Sequence, residues 1–251
     1  MKLVLSYILS SLYYLFFGLV LVIFHGIQWI CHKFFGYQAH KKSVDVLNLF
    51  LLRCLHFLGG RVTFENSYKD ELEKNQPHII VANHQSMYDI PPLIWYFRKL
   101  HPKFISKMEL GKGIPSISYN LRHGGSILID RKNPRQSLPE IKKFTQYLNQ
   151  TNNAAVIFPE GTRSRTGHPK SFSANGLLML FKNCPNAKII PVTINNSWKL
   201  QKKGSFPLGV GVHIHIKVQK PILVKDFTPK ELVEVVENNI IKDIQVKENK
   251  K

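Results

Sequence analysis

Cysteine is scarce in this chain. Three occur in 251 residues, Cys31, Cys54 and Cys184, scattered and odd in number. No CxxC pair and no Cys/His spacing suited to a metal is present, which excludes a disulfide-stapled scaffold and a zinc finger or ribbon. Free thiols fit a reducing compartment, where each packs as a small apolar side chain. Acidic residues are also few: 16 Asp and Glu stand against 35 Lys and Arg, for a net charge of +19. That imbalance points to an anionic partner, whether nucleic acid, anionic lipid headgroups or a phosphorylated substrate.

Charge of either sign is missing altogether from residues 3–32. About 20 apolar residues suffice to cross a bilayer core, whereas the apolar region of a cleavable signal peptide runs to about 7–15. No small-x-small cleavage site follows it. A second apolar stretch, residues 44–58, carries Asp45 and Arg53 and reads as interfacial. Two architectures stay open, one true span or a helical pair dipping into one leaflet. Lys33, Lys41 and Lys42 lie between the stretches, against Lys2 alone at the start. That asymmetry places the main body on the cytoplasmic side of an inner membrane. Gly59-Gly60 then divides residues 1–58, the membrane-anchoring helices, from residues 59–251.

A serine-hydrolase elbow is absent too. Arg122-His123-Gly124-Gly125-Ser126 is superficially like an esterase oxyanion loop, but no GxSxG occurs anywhere. No zinc-finger or RNP motif backs a nucleic-acid partner. The apolar N-terminus accounts better for the charge, since each Lys or Arg near an anionic leaflet contributes about 1 kcal/mol of attraction. The expected partners are therefore membrane lipids and no nucleic acid.

What is present is alternation. Apolar runs predict strands at residues 79–82, 104–106, 126–130, 154–158, 188–194 and 210–218. Between them lie helical stretches near residues 91–99, 134–148 and 175–182. Asn133-Pro134-Arg135-Gln136 has the form of a helix start, as does Thr228-Pro229-Lys230-Glu231 before a C-terminal helix. The pattern predicts an α/β fold, a mixed, largely parallel sheet flanked by helices and preceded by the membrane-associated helical segment. His213 and His215 share one face of the last strand, but no carboxylate or cysteine lies nearby in sequence to complete a metal site, and none is expected.

Three of these strands end in chemistry. Ile79-Ile80-Val81-Ala82 runs into Asn83-His84-Gln85-Ser86-Met87-Tyr88-Asp89, with Ser86 placed to cap a helix and Asp89 in its first turn. A carboxylate there can orient the imidazole of His84 and leave its other nitrogen as a general base. The alternative is a solvated loop histidine beside a helix-start aspartate. Residues 126–129 end at Asp130-Arg131, and residues 155–158 end at Pro159-Glu160-Gly161-Thr162-Arg163-Ser164. In open α/β sheets ligands bind at the carboxyl ends of strands, so parallel strands would bring these loops to one crevice. Arginine forks there match phosphate oxygens.

In these blocks the chain resembles the glycerolipid acyltransferases, the 1-acylglycerol-3-phosphate acyltransferase group in particular. The resemblance rests on residues 83–89, on Gly125-Ser126-Ile127-Leu128-Ile129-Asp130-Arg131, on Phe158-Pro159-Glu160-Gly161-Thr162-Arg163-Ser164, and on the weaker Ile190-Pro191-Val192-Thr193-Ile194. Lys107-Met108-Glu109-Leu110 resembles a segment between the first two. The chain departs from the family at Phe172-Ser173-Ala174-Asn175-Gly176, where a basic Phe-Lys-x-Gly is usual. The resemblance implies His84 as general base and Asp89 as its orienting partner. It places Arg131, Glu160, Gly161, Thr162 and Arg163, with Lys107, on the acceptor. The implied donor is acyl-CoA or acyl carrier protein, the acceptor a lysophospholipid, with no cofactor and no metal. Glycerol-3-phosphate and lysolipids with other headgroups stay open as alternative acceptors.

Overall fold

The computed structural model describes residues 2–130 and 132–246. Its first element, α1 (Lys2–Cys54), bends at Gly36, whose backbone sits at φ 76°, ψ −170°. That region is essentially open only to glycine, so the residue without a Cβ decides where the helix divides into two arms. The second arm runs into a 3₁₀ turn, Leu55–Leu58, closed by Gly59 in the left-handed conformation.

Eight strands form one sheet: β1 (Arg61–Glu65), β2 (His78–Ala82), β3 (Lys103–Lys107), β4 (Ile127–Ile129), β5 (Ala154–Ile157), β6 (Lys188–Asn195), β7 (His213–Val218) and β8 (Ile222–Leu223). Their order is β1-β7-β6-β2-β5-β3-β4, with β8 pairing the first half of β6. The five strands from β6 to β4 are mutually parallel. β7 runs antiparallel to β6, and β1 lies parallel to β7 at the edge. The sheet is thus mixed and largely parallel, and helices cover both faces. On one side α1 and α2 (Ile90–Tyr96) meet Ile80, Ile190 and Ile194. On the other, α4 (Pro134–Thr151), α5 (Ala174–Asn183) and α6 (Pro229–Ile241) meet Ile79, Val81 and Ile189. Burial on both faces is why β2 is apolar at consecutive positions and does not alternate.

The structure adds β1, a short α3 and the two-residue β8, and trims others. Edge strand β1 is only partly buried, so Arg61-Val62-Thr63-Phe64-Glu65 lacks the apolar run of a central strand. The short α3 (Ile117–His123) has too few turns to show a period. It is held from outside, because the Ser116 hydroxyl donates to the Leu21 carbonyl oxygen (2.6 Å) and the Ser116 N–H donates to His25 Nδ1 (3.1 Å). The strand expected from residue 210 begins at His213, after Gly211 at φ 71°. The helix expected to residue 99 ends at Tyr96 and continues as a separate 3₁₀ turn.

The first arm of α1 lies along the globular body. Tyr13, Phe17, Leu21 and Phe24, spaced three or four apart, are each less than a tenth exposed. Polar anchors stitch the same arm to loops. Ser6 Oγ donates to the Leu208 carbonyl oxygen (2.6 Å), Tyr14 Oη to that of Ser205 (2.6 Å), and His32 Nδ1 pairs with Tyr119 Oη (2.9 Å). The opposite face presents Val4, Ile8, Leu15, Leu19, Val22 and Ile30 outward. This is the one helix among the described residues long and apolar enough to cross a membrane. Its length and its uncovered apolar face give the chain an element for membrane association.

Candidate active site

The loop after β2 is built by its own side chains. Asn83 uses its amide as a bridge to β6, donating from Nδ2 to the Ile194 carbonyl oxygen (2.8 Å) and accepting the Ile194 N–H at Oδ1 (2.7 Å). Ser86 then caps the 3₁₀ turn Met87–Asp89 by accepting the Tyr88 N–H, and Asp89 reaches back to the Ser86 N–H, completing a capping box. This box folds the chain so that Asp89 faces His84.

Asp89 is fully buried. Its Oδ2 accepts from His84 Nδ1 (2.8 Å), from the Gln85 N–H (2.7 Å) and from the Ser86 N–H (2.9 Å), while Oδ1 accepts from the Ser197 hydroxyl. An oxygen taking two backbone donors acts as an acceptor, so the proton of the His84 contact belongs to Nδ1. Nε2 is left with its lone pair outward. His84 is partly exposed, and its ring stacks on Phe158 at 4.1 Å and 18°.

Glu160 joins the two neighbouring strand ends. Its Oε1 accepts the His84 N–H (2.7 Å) and its Oε2 the Lys170 N–H (3.0 Å), while the Ser164 N–H donates to the His84 carbonyl oxygen (2.8 Å). Burial raises the Glu160 carboxyl above its ordinary value, and the two backbone N–H donors oppose that rise. With both oxygens taken by amides, this side chain clamps the loop over residues 158–170 onto His84. Gly161 sits at φ 69° with open space around its Cα, so conformation and not crowding calls for glycine there. Its N–H donates to the Phe158 carbonyl oxygen (3.1 Å). Thr162 Oγ1 accepts from Lys170 Nζ (2.7 Å). Arg163 is exposed, near enough to Tyr88 for its charge to oppose the burial-driven rise of that phenol.

His84, Asp89 and Glu160 are therefore in direct contact, with Gly161, Thr162 and Arg163 on the clamped loop. Lys107 stands exposed at the end of β3, in register with Ile129 of β4. Arg131 lies outside the described residues. Sequence reasoning missed Ser197 and Lys170. Ser197 follows the end of β6, so the same attention to polar residues at strand ends would have reached it. Lys170 sits in an irregular loop that carries no such signal.

Beside this cluster a cavity of about 470 Å³ opens between the sheet and the α4–α5 pair. Ile105, Ile129, Ile141, Ile157 and Met179 line it, and Phe158 and Gly161 stand on its wall.

A family profile described as Acyltransferase matches residues 61–195, more than half of the chain, including His84, Asp89 and the clamped loop, with Ser197 just beyond its end. The chain belongs to the Acyltransferase family. It is similar to the 1-acyl-sn-glycerol-3-phosphate acyltransferase of Helicobacter pylori, with 36% identity over 125 residues, 49% of this chain and 50% of that one. To the chloroplastic 1-acyl-sn-glycerol-3-phosphate acyltransferase of Arabidopsis thaliana it is 29% identical over 146 residues, 58% of this chain and 39% of that protein. The chain thus matches about two fifths to one half of the length of these relatives. The crystal structure of the 1-acyl-sn-glycerophosphate acyltransferase of Thermotoga maritima shares the fold, with a TM-score of 0.76 over 97% of this chain and 96% of that one at 24% identity.

Proposed function

We propose that this member of the family transfers a fatty acyl group from a thioester, acyl-CoA or acyl carrier protein, to the free hydroxyl of lysophosphatidic acid, giving phosphatidic acid. The observation that carries the reading is the His84–Asp89 pair, in which a saturated, buried carboxylate holds Nδ1 and turns Nε2 outward. Nε2 takes the proton of the acceptor hydroxyl as its oxygen attacks the thioester carbonyl. The tetrahedral intermediate collapses with departure of the thiolate, which receives the proton from the imidazolium. A positioned base contributes about 10²–10⁴-fold, and the activated thioester removes the need for a protein nucleophile. Arg163, Arg131 and Lys107 are the cations we assign to the acceptor phosphate. Glu160, Gly161 and Thr162 shape the loop that presents Arg163. The apolar cavity against Phe158 and Gly161 suits the acyl chain.

We assign residues 1–58 to membrane anchoring and residues 59–251 to acyl transfer, with the body on the cytoplasmic side. The first arm of α1 is bonded to loops from Ser6 to His32, which supports insertion into one leaflet in preference to a span. Tyr13 and Phe17 of that arm pack against Tyr88, next to Asp89, so a lipid acceptor could reach His84 from the bilayer side.

The test is acyl transfer by the full chain in detergent with labelled acyl-CoA, repeated with acyl carrier protein. Lysophosphatidate, glycerol-3-phosphate and lysophosphatidylcholine are offered in parallel. Transfer to lysophosphatidate alone, lost in a folded His84→Ala variant, is expected. Preference for another acceptor would change the substrate assigned, and substantial turnover by His84→Ala would remove the base.

A further inference from the structure

The amino-terminal ends of the parallel strands, the end of the sheet away from His84, hold a second concentration of positive charge that acyl transfer does not use. Lys103, the first residue of β3, is 5% exposed. Its ammonium lies over the ring of Tyr37, 5.1 Å from the centroid, and among the described residues no carboxylate pairs with it. The acid in the same cavity, Asp45, is already taken by Lys41, whose Nζ also donates to the Arg98 carbonyl oxygen (2.6 Å). Burying an ammonium without a partner is costly unless something else supplies the counter-charge.

The small enclosed space around Lys103 shares Tyr37 and His101 as a wall with an open cavity of about 530 Å³. Lys74, His123 and Tyr147 line that larger cavity. Two buried polar groups on these walls also lack partners. Both ring nitrogens of His40, which is fully buried, and Oδ1 of Asn153 make no hydrogen bond. Burial, reinforced by Lys41 and Lys74 and opposed by Asp45, pushes the Lys103 ammonium down to about 7, and His101 is pushed down to about 4 by burial and the same lysines with Lys103. Among the described residues the one carboxylate near these groups, Asp45, is shared among Lys41, Arg98 and Lys103, so the positive charge here exceeds the negative. Just before the Gly36 bend, Phe34 and Phe35 stand 67% and 71% exposed, while Tyr37 and Gln38, just after it, line the cavity.

We propose that this open cavity is a second anion site, distinct from the acceptor site, which takes a phosphate-bearing group between Lys74, His101 and His123 on its walls, with the charge of Lys103 behind the shared wall of Tyr37 and His101. Two sources share that chemistry. One is the headgroup of an anionic membrane phospholipid, whose chains would lie along Phe34 and Phe35. The other is free phosphate. The site does not depend on the acyl-transfer reading.

The experiment uses the full chain in a non-ionic detergent. Thermal unfolding is followed while inorganic phosphate, or short-chain dihexanoyl phosphatidate, is titrated at ionic strength matched with chloride. An Arg163→Ala background removes one of the three cations assigned to the acceptor phosphate and so weakens the first site. Ligand that binds the folded state raises Tm in proportion to the logarithm of its saturation. The expected result is a rise in Arg163→Ala with at least one probe, with binding weakened about tenfold or more when Lys103→Met is added, since the attraction of a buried ammonium behind the cavity wall is lost. Lys74→Ala, on the exposed rim, should weaken binding without disturbing the interior. A rise with phosphatidate only would assign the site to a lipid headgroup, and a rise with both would show that phosphate suffices. An undiminished rise in both lysine variants, or no rise with either probe, overturns the proposal.

Discussion

At Asp89 one carboxylate oxygen gathers an imidazole and two backbone amides, and the other gathers the Ser197 hydroxyl and, at a longer 3.4 Å, that of Ser86. Those donors do two different jobs. The amides fold the loop, and Ser197 holds the second oxygen so that the carboxylate plane stays aimed at His84. Asp89→Asn would still accept the amide protons at one atom, so the loop should form, but the counter-charge to the imidazolium is gone. We expect kcat to fall by about 10²-fold or more, within the range a general base contributes. Ser197→Ala removes only the positioning contact. It should lower kcat by about tenfold and leave the acceptor KM nearly unchanged, as for an interaction that matters in the transition state. Steady-state kinetics on both variants separate the roles. A raised KM with normal kcat in Ser197→Ala would place this residue on the substrate instead.

The bend in α1 and the ends of the central strands show what a linear sequence displays and what it conceals. Strands β2, β5 and β6 were legible because burial on both faces writes itself as consecutive Ile, Val and Ala. The loops after β2 and β5 were legible because a polar block follows each run abruptly. The capping box at Ser86 and Asp89 is local, three residues apart, and so was readable. Edge strand β1 and helix α3 were not, since each is defined by a partner far along the chain: His213 to Lys217, and Leu21 with His25. Whether the first arm of α1 spans or lies flat was equally hidden, because apolar composition is the same for both. The bonds to Ser205, Leu208 and Tyr119 favour the flat arrangement. The bend itself makes a testable point. No heavy atom lies within 4 Å of a Cβ placed at Gly36, so the cost of Gly36→Ala is purely one of backbone conformation. We expect a loss of about 1–3 kcal/mol, read as a lowered Tm in detergent. An unchanged Tm would mean that the two arms join without the strained geometry.

Over the whole molecule, we propose that the +19 charge and the exposed apolar face of α1 act on the same object, an anionic bilayer, but over different distances. Charge attracts within about a Debye length and is weakened by salt. The apolar face acts only on contact and is indifferent to salt. Leu15 and Phe34 lie 65% and 67% exposed, one along the first arm and one near its end. Neither belongs to the buried core. A Leu15→Glu, Phe34→Glu double variant should therefore keep its Tm in detergent. Each such side chain is worth about 1.5–3 kcal/mol when buried, so vesicle partitioning should weaken by at least about 10²-fold, with the added negative charges pushing the same way on anionic lipid. Flotation with phosphatidylcholine vesicles, with and without phosphatidylglycerol and at low and high salt, measures both contributions. Because α1 packs on Tyr88 beside Asp89, turnover of a long-chain acceptor presented in vesicles should fall with binding, while turnover of a short-chain, water-soluble acceptor should persist. Equal loss on both acceptors would mean that the face supports the catalytic loop rather than the membrane contact, and undiminished flotation would mean that another surface carries the anchoring.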